Sequence, residues 1–72
     1  MLYHFHAVDE RASFDIEVAE LANYEAAVDY SLALASQLLH QEPYSLNPDA
    51  WEIRVTDDAG KEILAIPLSE DS

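Results

Sequence analysis

The chain has 72 residues, which suffices for one small domain, and it contains no cysteine, which excludes disulfides and thiolate metal sites. Its 15 Asp and Glu residues against 3 Lys and Arg give a formal net charge of −12, which disfavours binding to nucleic acid or anionic membranes and favours basic partners. Because 50% of the residues are hydrophobic and regularly spaced, we expect one folded acidic domain over residues 1–72 rather than a disordered chain.

The sequence also lacks the signals of membrane insertion and export. No run approaches the roughly 18 consecutive apolar residues of a membrane span. The N-terminus MLYHFHAVDE lacks the basic and apolar regions of a secretory signal peptide. We therefore expect a cytoplasmic protein.

Two alternating runs near the N-terminus predict a β-hairpin. Residues 2–8 and the run FDIEV at 14–18 alternate apolar and polar side chains, and the polar segment 9–12 separates them. The predicted inward positions are Tyr3, Phe5, Ala7, Phe14, Ile16 and Val18. The predicted outward positions are His4, His6, Asp15 and Glu17.

An Ala- and Leu-rich segment predicts a helix from Tyr24 to about Gln41. Asn23 is a favourable N-cap, and Pro43 stops the helix because proline cannot continue it. The apolar arc of this helix is wider than packing against one sheet requires. Its borders carry Tyr30, Leu32 and Leu39.

The C-terminal part predicts a second hairpin. Residues 51–56 alternate, with Trp51, Ile53 and Val55 inward and the residues between them outward. The turn DDAG contains Gly60, the only glycine, for which we expect a positive φ. The last strand covers residues 62–68, and Pro67 places it at a sheet edge because proline cannot donate to a ladder.

These elements predict an α+β fold of order ββαββ in two layers. A four-stranded, mostly antiparallel sheet carries the single helix on one face. A right-handed crossover between strands 2 and 3 favours the spatial order 2-1-3-4, in which all neighbouring strands are antiparallel. The other face of the sheet stays open.

Three segments, taken together, resemble a family of short, mostly proteobacterial domains of unknown function. They are YHFHAVDE, DIEVAELANYEAAVDYSLALASQLL and WEIRVTDDAGKEILAIPLSE, and the closing hairpin is the most specific of them. Val18 stands where the family usually has glycine. The resemblance implies the ββαββ fold and carries over no catalytic residue.

His4 and His6 are the first candidates for chemistry, because alternate residues of a strand point to the same side. Asp15 and Glu17 across the hairpin would make a zinc site conceivable, but no third ligand stands at a recognised spacing. We interpret the histidines as part of a solvated sheet face, without metal or cofactor. A pH-sensitive pair is the alternative, since nearby acids favour the protonated imidazole.

Catalysis finds little support in the sequence. There is no cysteine and no serine in a G-x-S-x-G turn, and a single glycine does not make a phosphate-binding loop. One helix on a sheet rarely encloses a substrate pocket. We predict that the protein is not an enzyme.

The acidity leads to the main functional hypothesis, a non-enzymatic protein-binding module that mimics nucleic acid and occupies a basic groove of a nucleic-acid-binding protein. Small acidic inhibitors from phages, including anti-CRISPR proteins, are similar in size and charge. The predicted acidic surface comprises Asp15, Glu17, Glu52, Asp57, Asp58 and Glu62. A surface that only keeps the protein soluble explains the same charges.

Two further hypotheses concern other residues. The first is a homo-oligomeric structural or regulatory domain, such as a homodimer, that pairs its helices through Tyr30, Leu32 and Leu39. The second is a metal or pH sensor based on His4 and His6 with neighbouring carboxylates.

Overall fold

A computed structural model describes residues 1–68 of the chain and has the α+β fold that the sequence predicts. The elements are β1 (Leu2–Val8), β2 (Ser13–Glu20), α1 (Tyr24–Leu38), two short 3-10 turns (Tyr44–Leu46 and Pro48–Ala50), β3 (Glu52–Thr56) and β4 (Glu62–Pro67). The sheet order is β2-β1-β3-β4, and all three pairings are antiparallel. The predicted order 2-1-3-4 is therefore confirmed. Among these residues no helix is long and apolar enough to cross a bilayer.

The core lies between α1 and the two central strands. The side chains of Phe5 and Ala7 on β1 and of Ile53 and Val55 on β3 are fully buried. The helix covers them with Ala27, Leu34, Ala35 and Leu38. Trp51 is only 7% exposed, which confirms its prediction as a core residue.

The helix begins as predicted and ends earlier. The side chain of Asn23 accepts a hydrogen bond from the backbone N–H of Ala26 at 2.9 Å, which satisfies one of the free amides of the first turn. The N–H groups of His40 and Gln41 bond to carbonyls three residues back, those of Gln37 and Leu38. This tighter pattern ends regular α-helix at Leu38, short of the predicted Gln41.

Strand β2 departs from the predicted alternation because it contains a β-bulge. His6 pairs with Asp15 and Phe5 pairs with Glu17, so Ile16 is an extra residue without its own partner on β1. Opposed residues of antiparallel strands point to the same face. Glu17 therefore shares the helix side with Phe5, and Val18 lies on the open side, 54% exposed. The predictions of an outward Glu17 and an inward Val18 are wrong.

The β3–β4 hairpin has the predicted turn. The carboxylate of Asp57 accepts hydrogen bonds from the N–H groups of Ala59 and Lys61, both at 2.9 Å. Gly60 has a φ of +84°, as expected, and a Cβ built on it would meet nothing within 4 Å. Any cost of a side chain at this position is therefore a cost of backbone conformation alone.

This geometry yields a prediction for Gly60. Replacing it with alanine should lower the free energy of unfolding by about 1–2 kcal/mol, because L-residues are strained in the left-handed region. Gly60→Asn should cost less, since asparagine tolerates this region best among the other residues. Urea denaturation of the three proteins measures the difference. Equal stability of Gly60→Ala and the parent would contradict it.

Candidate functional site

The face of the sheet that points away from α1, called here the open face, holds three of the six predicted acidic residues. Asp15 of β2, Glu52 of β3 and Glu62 of β4 lie on it, because their cross-strand partners are the outward residues of the neighbouring strands. The carboxylate side chain of Asp15 is 90% exposed. The open face is therefore an acidic surface over three strands.

The two histidines lie on the same face. Their rings are nearly parallel, with centroids 6.5 Å apart. His6 Nδ1 lies 2.7 Å from Asp15 Oδ1, and His6 Nε2 lies 3.2 Å from Thr56 Oγ1. A carboxylate only accepts, so Nδ1 donates to Asp15, whereas the Thr56 hydroxyl can either donate or accept.

The contacts of Thr56, His6 and Asp15 have the connectivity of a nucleophile, a base and an orienting acid. Catalysis of that type also requires a cavity that excludes water and donors for the developing oxyanion. None of the three grooves described below is lined by His6 or Thr56. We interpret the network as a polar link between β2, β1 and β3.

A metal site at the histidines requires further ligands. Within the described residues, no group of three or more His, Cys, Asp and Glu side chains is close enough to hold a metal ion. The two imidazoles and the Asp15 carboxylate therefore do not form a three-ligand metal site.

Arg54 is a cation in the middle of the open face. Its Nε lies 2.7 Å from Glu52 Oε1, and its Nη1 lies 3.9 Å from Glu62 Oε1. The hydrogen bond with Glu52, the charge of Glu52 and then that of Glu62 raise the pKa of the guanidinium above its usual value. Arg54 therefore stays charged and offsets part of the acidic surface.

The other three predicted acids lie elsewhere. Asp57 holds the β3–β4 turn through its carboxylate, and Asp58 is an exposed residue of the same turn. Glu17 lies on the helix side, where the hydroxyl of Tyr30 donates to its carboxylate. The predicted set thus divides over the open face, the hairpin end and the helix side of β2.

Sequence reasoning missed an acidic cleft at one end of the sheet. The cleft has a volume of about 170 Å³, and its carboxylates come from Asp9, Asp49 and Glu52. Trp51 and Arg54 are also part of its wall. The predicted strand order could have indicated this cleft. Because Val8 pairs with Glu52, the residues that follow β1 lie close to those that precede β3.

The residues predicted for self-association lie at the two borders of α1. Tyr30 lies at the β2 side of α1, with its ring centroid 4.9 Å from that of Phe5. Leu32 and Leu39 lie at the β4 side, in an apolar groove of about 320 Å³ that Ile66 and Leu68 also line. Residues 30 and 32 differ by about 200° around a helix, which separates the two borders. Self-association through these three residues stays a prediction.

Comparison with known proteins addresses the family but not the activity. No curated protein and no solved structure matches the chain. The sequence model of one protein family, described as "Domain of unknown function (DUF6894)", matches residues 2–69. The match covers nearly the whole chain and confirms the resemblance to a family of such domains. The chain therefore belongs to the DUF6894 family.

Proposed function

We propose that this protein is a non-enzymatic binding domain whose open face receives a basic surface of a partner protein, in the manner of a nucleic-acid mimic. The observation that carries the proposal is the arrangement of Asp15, Glu52 and Glu62 on one sheet face, with Arg54 as the cation between them. No other element of residues 1–68 covers this face.

A sheet face suits such recognition because it holds its side chains in fixed positions. Alternate residues of one strand are about 7 Å apart, and neighbouring strands are about 4.8 Å apart. The carboxylates therefore present a preformed array, so little conformational entropy is lost when a Lys- or Arg-rich surface binds. The net charge of −12 adds long-range attraction, which raises association rates and makes them sensitive to salt.

A comparison of two charge variants tests the proposal. Asp15→Asn with Glu62→Gln removes two charges from the open face, whereas Glu25→Gln with Asp29→Asn removes two from exposed positions of α1. We expect the open-face variant to bind a basic partner about threefold to tenfold more weakly and the helix variant to bind nearly as the parent, because Coulomb attraction falls with distance.

The measurement is affinity capture of nucleic-acid-binding proteins from lysate at about 50 mM and about 500 mM salt, followed by titration of each purified partner. A partner should be released at the higher salt, and it should lose its DNA or RNA when the domain is added. Capture that is independent of salt would contradict the proposal. So would equal losses in the two variants.

Self-association through Tyr30, Leu32 and Leu39 and metal or pH sensing through His4 and His6 stay predictions. Sedimentation of the purified protein as a monomer at high concentration would rule out self-association. Zinc affinity and proton uptake of a variant without both imidazoles would address the second.

A further inference from the structure

The outer edge of β2 is available for pairing with another strand. β2 has eight residues and is the terminal strand of the sheet, and within residues 1–68 it pairs with β1 alone. Glu17 and Glu20 are exposed, and Val18 is 54% exposed. Such an edge presents backbone N–H and C=O groups that an extended segment can bind.

A groove runs beside this edge on the helix side. It has a volume of about 340 Å³ and lies between β2 and α1. Its walls are formed by Glu17, Tyr30, Ala33, Leu34 and Gln37. The bulge at Ile16 brings Glu17 to this side, so the groove has one carboxylate beside the apolar side chains of Ala33 and Leu34. An edge strand beside a groove is the geometry in which a bound strand gains backbone hydrogen bonds and inserts alternate side chains.

Charge decides which occupant fits this edge. Segment 13–20 contains Asp15, Glu17 and Glu20 and no Lys or Arg. Pairing β2 with a second copy of itself would bring like charges together, which destabilises paired strands. A segment with Lys or Arg at alternate positions would instead carry its cations on one face, where they can meet the Glu17 carboxylate on the helix side of β2.

We propose that an extended basic segment of a partner protein pairs with residues 17–20 of β2 and extends the sheet by one strand. Its basic residues opposite Glu17 and Ala19 point to the groove side, where a Lys or Arg meets the Glu17 carboxylate. The residue between them packs against Val18. This inference rests on the proposed function only in that the partner is basic, and it adds the partner's conformation and its place on the domain.

The opposite edge is less suited to such pairing. β4 contains Pro67, which has no N–H to offer, and a bulge at Ile63 interrupts its register. The groove at that side, lined by Leu32, Leu39 and Leu68 among others, has no charged residue that would select a basic segment.

A synthetic peptide that alternates Lys and Val is the probe. It should bind the full chain at low salt, with the largest amide shifts in residues 17–20 and in the second half of α1. A peptide that alternates Glu and Val should not bind. A fully N-methylated Lys–Val peptide keeps every charge but lacks the N–H groups, so its affinity should fall at least tenfold.

Two tryptophan substitutions on the helix provide a matched pair. Ala33→Trp fills the groove beside β2, whereas Ser36→Trp crowds the groove beside β4, and both positions are exposed. We expect Ala33→Trp to weaken the peptide about tenfold and Ser36→Trp to leave its affinity unchanged. Circular dichroism of both variants confirms that they fold.

The outcomes separate this inference from the proposed function. Equal binding of the N-methylated peptide, or no effect of Ala33→Trp, overturns edge pairing. If Asp15→Asn with Glu62→Gln alone weakens the peptide, the segment lies on the open face, so the proposed function stands and this inference falls. Loss of peptide binding in Ser36→Trp would place the peptide at β4 and would also overturn the inference. Absence of binding at low salt, or a dimer of the free protein with protected β2 amides, also overturns it.

Discussion

Replacing Phe5 with alanine is expected to lower the free energy of unfolding by about 3–5 kcal/mol. Phe5 is fully buried, and its ring packs on that of Tyr30 with centroids 4.9 Å apart. It lies on a central strand, between Glu17 of β2 and Val55 of β3. The substitution would therefore leave a cavity between the sheet and the helix.

The size of the domain makes this loss severe. A chain of this length has a total stability of about 4–11 kcal/mol, so Phe5→Ala should lose at least about a quarter of it and, at the lower end of the range, all of it. Urea denaturation followed by circular dichroism measures the loss. If the variant does not fold, Phe5→Leu keeps most of the volume and should still show a smaller loss.

Phe14 provides the matched control for Phe5. It is the same residue type on the same side of the sheet, but it is 47% exposed and stacks only on Trp51, at 5.7 Å between centroids. Phe14→Ala should cost about 1 kcal/mol, the order of one aromatic pair. Similar losses in the two alanine variants would contradict the assignment of the core.

Replacing Arg54 is expected to strengthen binding of a basic partner, the opposite of the effect of removing acids. Arg54 pairs with Glu52 and Glu62, so its removal leaves two more carboxylates of the open face available. Arg54→Gln should tighten binding about fivefold. Arg54→Glu changes the charge by two units, so it should tighten binding more strongly, by tenfold or more.

Titration of the purified partner with the two Arg54 variants, at low and high salt, measures this increase. Folding should hardly change, because ion pairs at exposed positions contribute little to stability. The increase should also vanish at about 1 M salt, where the Debye length is about 3 Å. Weaker binding of Arg54→Glu than of the parent would show that the partner does not bind through the negative charge of the open face.

Together these predictions separate the two parts of the molecule. The helix and the inner face of the sheet carry the stability, whereas the open face and the edge of β2 carry the proposed binding. The Phe5 substitution changes the first without altering any charge. The Arg54 substitutions change the second with little effect on the first.

Much of the fold follows from local chemistry. In β1 and β3 the alternation is correct because both strands are central and have the helix on one side only, so every apolar residue at an inward position has a place in the core. Asn23 and Gly60 are local signals of the same kind, since a side-chain cap and a positive φ depend on a few neighbouring residues.

The acidic character of the open face also follows from the sequence. Asp15 and Glu52 lie where alternation predicts them, whereas Glu62 shares the open face with Thr56 because of the bulge at Ile63. Their approach to Arg54 and to His6 depends on the register between strands, which no local pattern specifies. The cleft of Asp9, Asp49 and Glu52 likewise requires β1 and β3 to be neighbours.

The sequence by itself therefore determined the elements, their order and the acidic character of the exposed face. Only the tertiary structure decided the face of Glu17 and Val18, because the run FDIEV alternates perfectly and a bulge becomes visible only against the partner strand. It also separated Tyr30 from Leu32 and Leu39, because the two borders of a helix face different edges of the sheet. The local sequence shows how side chains alternate within one strand or helix. Which elements contact each other, and in which register, is set by pairing between residues far apart in the chain.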